Sequence, residues 1–350
     1  MYKMPIQKVI ISDLSTYLPA QIVTNADIEK WVTLPALQLA GMSAYEPEKV
    51  KALEPGTLNR IFGTRERRYA APGENASAIG AAAALPIVER KGRNNIDCMI
   101  FASASSDMIE PATANMAQEI LGLGCPVFDI KNACNSAITA LHVATSLIQS
   151  GAMRNVLIVT GEKPQDCVKF NLDNSDELKK RLSSYTLGDI GVAMLVELSP
   201  DLNRGIILQQ MESRGEHWRL CQIPGGGSAF PHADMNYFEG KTADLRDAFL
   251  KEFLGTFIDF FTRTGWQPAD VKHIFMHQVS MGTFSFTAQA FGLPLDLFRH
   301  SFAQYGNIAS ASIPVNLCEA VSSGALLPGD KVLILGLGAG ISFNLTAMVW

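Results

Sequence analysis

The chain contains the same pattern twice, and this repeat constrains its fold more than any other feature. The first copy is ACNSAITALHVATSLIQSGAMRNVLIVTG (133–161), and the second is GNIASASIPVNLCEAVSSGALLPGDKVLILGLG (306–338). Each copy has small residues, a helical run, the tripeptide Ser-Gly-Ala, a turn and an apolar strand that begins Val-Leu-Ile. Ser150 corresponds to Ser323, 173 residues later, in a chain of 350 residues. The repeat therefore predicts two similar halves.

A second pair of matching segments precedes the repeated helices. Residues 95–105 (NIDCMIFASAS) and 270–280 (DVKHIFMHQVS) are short apolar runs that end in small or polar residues, as buried parallel strands do. Strands that alternate with helices predict parallel sheets covered by helices, so we expect an α/β fold of two packed halves. Turn residues near Pro200 divide the chain into an amino-terminal half, 1–200, and a carboxy-terminal half, 201–350.

Composition narrows the range of functions. Apolar residues make up 47% of the chain, which excludes disorder, and the net charge of −5 gives no overall cationic field to attract nucleic acid. The first apolar run ends at Asp13, too short for a secretory signal, and glycines interrupt the uncharged stretch from Val332 to Trp350. We therefore expect a cytoplasmic protein without a membrane span. The six cysteines have no CxxC spacing, which predicts reduced thiols and no metal site.

Cys134 is the candidate nucleophile among these cysteines. It follows the apolar strand PVFDI (126–130) and opens the first repeated helix. Free backbone N–H groups and the positive end of the helix dipole favour a thiolate there, so we expect a lowered thiol pKa. The alternative is a small buried hydrophobic residue, the usual role of a cysteine.

Two polar residues of the second half complete a candidate constellation. The 173-residue offset places Asn307 opposite Cys134, and His277 closes the strand HIFM (273–276). Open α/β sheets present functional groups at strand ends, so Cys134, His277 and Asn307 are predicted to meet. A structural histidine is the alternative for His277. A metal pair with His273 is excluded, since residues four apart on a strand are separated by roughly 13 Å.

The glycine-rich turn GLGAGIS (336–342) is a candidate oxyanion site. Backbone N–H groups of Gly338, Ala339 and Gly340 can approach a reacting oxygen closely, together with the N–H of Cys134, because glycine has no side chain in the way. The alternative is an ordinary tight turn between two strands.

Seven stretches together resemble the thiolase superfamily, and within it the β-ketoacyl-acyl-carrier-protein synthase III branch. They are RIFGTRERRYA, DIKNACNSA, TLGDIGVAMLVE, PGGGS, MHQVS, YGNIASASIPVNL and GLGAGISFN. The resemblance covers nearly the whole chain and implies a five-layered αβαβα fold of two duplicated halves, a homodimer, and a catalytic triad of Cys134, His277 and Asn307. It also implies acyl-coenzyme A or acyl carrier protein as the partner, with coenzyme A or phosphopantetheine only as substrate carrier and no resident cofactor.

Within this branch the sequence is most similar to the head-to-head acyl-CoA condensing enzymes of bacterial long-chain olefin biosynthesis. Those enzymes carry a glutamate, in a Glu-Pro step upstream of the cysteine, that reaches the neighbouring subunit's active site as a base. Glu110-Pro111 resembles that step but lies two residues closer to the cysteine. From the residues alone, the Glu110 carboxylate could instead favour the dipole of a helix whose first residue is Pro111.

A basic cluster is the candidate carrier-binding surface. Four arginines against one glutamate give it a local charge of +3: Arg60, Arg65, Arg67 and Arg68. They could hold the phosphates of coenzyme A or the acidic face of a carrier protein, and a solvated basic turn is the alternative. Coenzyme A-dependent members of the branch commonly show a Trp-x-x-x-Arg stretch before this region, whereas here Trp31 lies 29 residues before Arg60.

These residues predict a condensing acyltransferase and leave its second substrate open. We expect the acyl group on Cys134, with His277 Nε2 and Asn307 Nδ2 donating hydrogen bonds to the carbonyl oxygen of a second thioester. A plain acyl thioester would need Glu110 as base and would give a β-ketoacyl thioester by non-decarboxylative Claisen condensation, which we favour. A malonyl thioester would lose carbon dioxide and need no base. Acyl transfer to oxygen or nitrogen is the other alternative, and the intact triad argues against an inactive subunit.

Overall fold

The computed structural model describes residues 7–35, 49–231 and 236–350. Strands of the first half are β1 (Val9–Tyr17), β2 (Gln21–Thr24), β3 (Thr33–Pro35), β4 (Lys49–Lys51), β5 (Glu66–Tyr69), β6 (Cys98–Ala102), β7 (Val127–Ile130), β8 (Asn155–Glu162) and β9 (Ile190–Leu198). Strands of the second half are β10 (Gly205–Ser213), β11 (Cys221–Gln222), β12 (Glu239–Gly240), β13 (Val271–Met276), β14 (Phe298–Arg299), β15 (Lys331–Gly338) and β16 (Ser342–Val349).

Helices alternate with these strands through most of the chain. They are α1 (Asn25–Trp31), α2 (Thr57–Phe62), α3 (Ala76–Lys91), α4 (Thr113–Leu121), α5 (Ser136–Gln149), α6 (Ser175–Arg181), α7 (Thr242–Thr264), α8 (Met281–Phe291), α9 (Phe302–Tyr305) and α10 (Ser312–Ser322). In the part of the chain that the structure describes, no helix combines the length and the apolar character needed to cross a membrane.

The two halves form sheets of identical topology. The first sheet has the strand order β1-β9-β8-β6-β7 and the second has β10-β16-β15-β13-β14. Corresponding strands occupy corresponding places, which confirms the two duplicated halves predicted from the repeat. The turn between β9 and β10 contains Pro200.

Alternating side chains on the strands build a five-layered αβαβα arrangement. In β6, Met99 and Phe101 join the outer cluster with α3 and α4, whereas Ile100 faces the opposite way. That inner face packs against α5 and α10, which lie between the two sheets and also contact Phe275 and Ile334 of the second sheet. Helices α7 and α8 cover the outer face of the second sheet. Period-two alternation on buried strands thus explains why each strand contains a continuous apolar run.

The sheets are mixed, whereas the sequence predicted parallel ones. β6 is parallel to β7 and β8, and β13 is parallel to β14 and β15, as predicted. β9 and β16, however, each run antiparallel to both neighbours. Residues 339–341 alone join β15 to β16, and so short a connection permits only an antiparallel pair. The prediction was wrong because a strand buried on both faces looks equally apolar in either direction.

Candidate active site

Cys134 lies on a tight turn that leads from β7 into α5. The helix begins at Ser136, two residues later than the sequence predicted. Ala133, directly before the cysteine, has a φ of 48°, in the left-handed region that residues with a side chain rarely adopt. The turn is closed by a hydrogen bond of 3.0 Å from the Asn135 N–H to the Asn132 carbonyl. This sharp change of direction exposes part of Cys134 at the end of the strand.

Asn307 occupies the equivalent turn of the second half. Gly306, 173 residues after Ala133, also has a left-handed backbone, with a φ of 67°. A Cβ on Gly306 would lie only 2.1 Å from the Thr186 carbonyl oxygen, so glycine is required here. The Asn307 N–H donates to the same Thr186 carbonyl at 2.8 Å, which fixes the residue in place.

One cavity brings together most of the predicted site residues. It has a volume of about 110 Å³, and Cys134, His277, Asn307, Gly338 and Ala339 all line it. Most of its other lining residues are apolar. The three members of the predicted constellation therefore share one space, as the repeat and the strand ends suggested.

The glycine hairpin packs directly against the turn that carries the cysteine. A Cβ on Gly338 would lie 2.8 Å from Asn135 Cβ and 2.9 Å from the Asn132 carbonyl oxygen. Asn135 Nδ2 donates to Ser342 Oγ at 3.2 Å, which ties the two turns together. Gly340 belongs to this hairpin but does not line the cavity. Close packing thus places backbone groups of residues 338 and 339 beside Cys134.

The environment of Cys134 raises its thiol pKa, contrary to the sequence prediction. Burial among protein atoms is the largest cause, and the neighbouring Cys221 and Glu162 act in the same direction. A backbone hydrogen bond at Cys134 lowers the pKa, but it does not outweigh burial. The prediction considered the helix end alone, whereas α7, α8 and the glycine hairpin enclose the sulfur in the folded chain. Cys134 is therefore a thiol at neutral pH and needs a base.

His277 has the properties of such a base. Burial lowers its pKa to about 4, against a hydrogen bond to Ala309 that raises it, so the ring is neutral at pH 7. Its Nδ1 lies 3.1 Å from Ser312 Oγ, and that hydroxyl itself donates to the Ala309 carbonyl at 2.8 Å. Nδ1 therefore carries the proton and donates to Ser312, which leaves Nε2 unprotonated. The sequence analysis expected Nε2 as a donor, but these partners make it an acceptor.

The amide of Asn307 is oriented by its own loop. Asn307 Oδ1 accepts a hydrogen bond of 3.0 Å from the Ala309 N–H. This assigns the carbonyl side of the amide to the loop and leaves Nδ2 available as a donor to a ligand in the cavity. An oxygen that develops negative charge is the partner that such a donor stabilises.

Sequence reasoning missed Glu162, a fully buried carboxylate at the end of β8. Oε1 accepts from the Ala104 N–H at 2.9 Å and from Ser310 Oγ at 2.6 Å, and Oε2 accepts from the Ser105 N–H at 3.1 Å. Ser310 belongs to the loop after Asn307, so Glu162 ties the first half to the loop that carries the amide. The repeat held a signal, because Glu162 corresponds to Gly338 at the 176-residue offset of the two strands.

Glu110 lies apart from the cavity of its own chain. It is solvent-exposed in the loop between β6 and α4, beside Ile109, whose side chain is 83% exposed. The helix α4 begins at Thr113 rather than at Pro111. Its first N–H groups, those of Thr113 and Ala114, each donate at 2.8 Å to the Asp129 carboxylate. Asp129 thus fills the role at the helix start that the alternative reading gave to Glu110.

The four predicted carrier-binding arginines occupy different environments. Arg60 and Arg65 are exposed, and Arg68 is half-buried. Arg67 is fully buried, its Nη2 donates to the Tyr185 carbonyl at 2.7 Å, and burial lowers its pKa to about 10. Arg67 therefore cannot reach a carrier on the surface, and its inclusion in the cluster was wrong.

The remaining segments named in the sequence analysis do not form part of the cavity. Trp31 ends α1 with 38% of its surface exposed, and residues 36–48 of the insertion lie outside the described residues. His273 accepts from Arg299 Nε at 3.0 Å and donates from Nε2 to the Ala325 carbonyl at 2.8 Å, a satisfied structural histidine.

One group of side chains has ligand atoms near one another, but it lies elsewhere. Glu216, His217 and Glu252 bring one ligand atom each within 4.8 Å of the others. Arg214 and Lys251 already pair with the Glu252 carboxylate at 3.5 Å. None of these residues lines the cavity.

Comparisons with known proteins agree with this site. Residues 128–215 match the family model described as 3-oxoacyl-(acyl-carrier-protein) synthase III, and residues 261–350 match the model of its C-terminal region. The chain is 30% identical over 342 residues to a β-ketoacyl-(acyl-carrier-protein) synthase III of Roseiflexus castenholzii, with 95% of each chain covered. It is 27% identical over 348 residues to the enzyme of that name from Chlamydia caviae, covering 97% of this chain and 96% of the relative.

Known structures share the fold. OleA of Xanthomonas campestris, solved with bound lauric acid and lauroyl-CoA, superposes with a TM-score of 0.84 at 23% identity, over 99% of this chain and 100% of that one. A 3-oxoacyl-(acyl-carrier-protein) synthase III of Aquifex aeolicus superposes with a TM-score of 0.82 at 24% identity, over 98% of this chain and 100% of that one.

Proposed function

This chain belongs to the 3-oxoacyl-(acyl-carrier-protein) synthase III family of condensing acyltransferases, and on that basis we propose that it joins two acyl thioesters by non-decarboxylative Claisen condensation. The product is a β-ketoacyl thioester. The observation that carries the proposal is that Cys134, His277 and Asn307 share one largely apolar cavity. The acyl donor is a coenzyme A or acyl-carrier-protein thioester, and no resident cofactor takes part.

The first step loads the acyl group on Cys134. His277 Nε2 accepts the thiol proton while the sulfur attacks the thioester carbonyl carbon. The Cys134 N–H and an N–H of the 338–340 turn stabilise the tetrahedral oxyanion, at about 3 kcal/mol per donor. The bond to the carrier sulfur then breaks, and the proton passes from His277 to the departing thiolate. The ring is neutral again at the end of the step.

The second step forms the carbon–carbon bond. A base removes the α-proton of a second acyl thioester, and Asn307 Nδ2 donates to the enolate oxygen that results. The enolate carbon attacks the acyl carbon on Cys134, and the bond from that carbon to sulfur breaks. The cysteine thiolate then regains a proton, so each step balances.

The base in this proposal is Glu110 of the partner subunit in a homodimer. Glu110 does not line the cavity of its own chain, and its neighbour Ile109 leaves a large apolar surface in solvent. The edge strand β7, with Phe128 37% exposed, is the outermost strand on that side of the first sheet. Unpaired edges with exposed apolar side chains favour association with another chain.

The carrier-binding surface in this proposal includes the exposed Arg60 and Arg65 and the half-buried Arg68. Guanidinium groups bind phosphate oxygens through paired hydrogen bonds. The lauroyl-CoA bound by the Xanthomonas enzyme supports a coenzyme A thioester as donor.

The second candidate function is decarboxylative condensation with a malonyl thioester. It is favoured by the relatives that carry the name β-ketoacyl-(acyl-carrier-protein) synthase III. In that reaction loss of carbon dioxide generates the enolate, so Glu110 has no task. The two candidates therefore differ in their dependence on one carboxylate.

The test compares Glu110→Gln with Glu119→Gln, a matched change at an exposed glutamate of α4. Each variant receives acyl-CoA alone, and both Cys134 acylation and β-keto product are measured by mass spectrometry. We expect E110Q to acylate Cys134 at the normal rate and to lose at least 100-fold in product formation, a typical contribution of general-base catalysis. E119Q should match the unsubstituted enzyme. Unchanged product formation in E110Q would refute the assignment, and product only with malonyl-CoA would establish the second candidate.

A further inference from the structure

The cavity extends well beyond the catalytic side chains, between two helices that cover the second sheet. Residues Leu245, Phe249 and Phe253 line it from α7, spaced four apart and therefore on one helix face. Thr283, Thr287 and Phe291 line it from α8 with the same spacing. The base is formed by side chains of the second sheet: Met276, Leu335, Leu337 and Phe343.

This space leads away from the catalytic end along α8. The helix begins at Met281, shortly after His277, and its lining residues follow at successive turns as far as Phe291. Ten residues of helix correspond to about 15 Å. Phe291 is thus the lining residue of α8 that lies furthest from the reacting sulfur along the helix.

An aromatic stack closes the far end. The Phe291 ring lies on the Phe257 ring of α7, with centroids 4.1 Å apart and planes inclined by 13°. Phe257 is 2% exposed and does not itself line the cavity. Phe253 and Phe343 form a second ring contact, 4.8 Å between centroids, along the wall. Beyond Phe291 the two helices are therefore in direct contact.

We propose that this space is the chamber for the alkyl chain of the acyl group on Cys134, and that Phe291 sets the longest chain it accepts. The inference rests on the proposed function, because it requires an acyl-enzyme at Cys134. Its ligand is an unbranched fatty acyl chain that lies along α8 with its methyl end against the Phe291 ring.

The chemistry of the walls selects this ligand. Arg246 is the only residue with a permanent charge among the described lining residues, and its side chain is 46% exposed and lies over the Phe286 ring. The buried part of the chamber offers no charged partner to a terminal carboxylate in the described residues, so dicarboxylic acyl chains are disfavoured. Each additional methylene that the chamber buries is worth about fourfold in binding, and each one it cannot bury gains nothing.

The experiment substitutes the floor and compares it with a matched phenylalanine. Phe291→Ala removes the floor, and Phe284→Ala removes an equally large ring from α8. Phe284 is 1% exposed, does not line the cavity and stacks instead on His300, with centroids 4.7 Å apart. Single-turnover acylation of Cys134 is followed by intact-protein mass spectrometry with octanoyl-, lauroyl-, palmitoyl- and stearoyl-CoA, and with benzoyl-CoA.

The expected result is a change of profile in one variant only. In F291A the rate ratio of the longest to the medium chains should rise at least tenfold, whereas F284A should keep the profile of the unsubstituted enzyme. If F291A does not fold, Phe291→Leu should show the same direction with a smaller shift.

Three outcomes would overturn the inference. They are an unchanged profile in folded F291A or F291L, the same shift in F284A, and a preference of the unsubstituted enzyme for benzoyl-CoA. Failure of the proposed function is distinguishable from these results. Acylation of Cys134 that follows the expected profiles without any β-keto product would refute the condensation and leave the chamber standing, whereas no acylation by any thioester would refute both.

Discussion

Buried neutral His277 makes the stability of this protein depend on pH in a predictable direction. Its pKa is about 4 in the folded chain, whereas a histidine in an unfolded chain has a pKa of about 6.5. Between these values the unfolded state binds a proton and the folded state does not. Stability from this group is therefore fully present above pH 6.5 and is lost as the pH falls through 4.

The magnitude follows from the size of the pKa shift. A difference of about 2.5 units at about 1.36 kcal/mol per unit corresponds to about 3 kcal/mol per chain. In His277→Gln the amide can still donate to Ser312 Oγ, but nothing titrates in this window. We therefore expect the unsubstituted protein to lose about 3 kcal/mol more than H277Q between pH 7.5 and pH 4.

The assay is urea denaturation at both pH values and at one fixed protomer concentration, because association would shift apparent stability. The quantity compared is the difference between the two proteins in their loss of unfolding free energy. An equal loss in H277Q would refute the reasoning, since it would mean that His277 is protonated in the folded state as readily as in the unfolded chain. The enzyme would then lack the neutral ring that accepts the cysteine proton.

Three further predictions concern the turns around the site. Because burial raises the pKa of Cys134, its alkylation by iodoacetamide should rise about tenfold per pH unit from pH 7 to 9; a plateau below pH 8, followed by peptide mass spectrometry, would contradict this. Gly306→Ala should destabilise the protein by about 2 kcal/mol or more in urea denaturation, because its Cβ would collide with the Thr186 carbonyl at positive φ; unchanged stability would mean that the loop can move. Glu162→Ala should lower stability by about 3 kcal/mol or more, since it leaves several buried donors without an acceptor; a change below 1 kcal/mol in thermal or urea unfolding would show that those donors find other partners.

The sequence predicted the arrangement of this fold because the repeat contains it. Ala133 and Gly306 occupy the same left-handed position 173 residues apart, so aligning the two copies places Cys134 and Asn307 at equivalent turns. Strand ends then bring His277 to the same cavity. These are consequences of local pattern and topology, which a single sequence carries.

Properties that depend on packing were beyond that pattern. The expected low pKa of Cys134 followed from its position before α5, but segments distant in sequence enclose the sulfur and reverse the sign. Arg67 stands between two other arginines in the sequence, yet alternation along β5 turns its side chain into the core. The strand direction of β16 was equally hidden, because burial on both faces removes the pattern that distinguishes parallel from antiparallel pairs.

Mass spectrometry of the enzyme with palmitoyl-CoA alone tests the proposed reaction most directly. Non-decarboxylative condensation predicts a palmitoyl adduct on the Cys134 peptide and a β-keto product that retains every carbon of two acyl chains, with no malonyl-CoA present. An acylated Cys134 that yields a β-keto product only after malonyl-CoA is added, with loss of carbon dioxide, would contradict it.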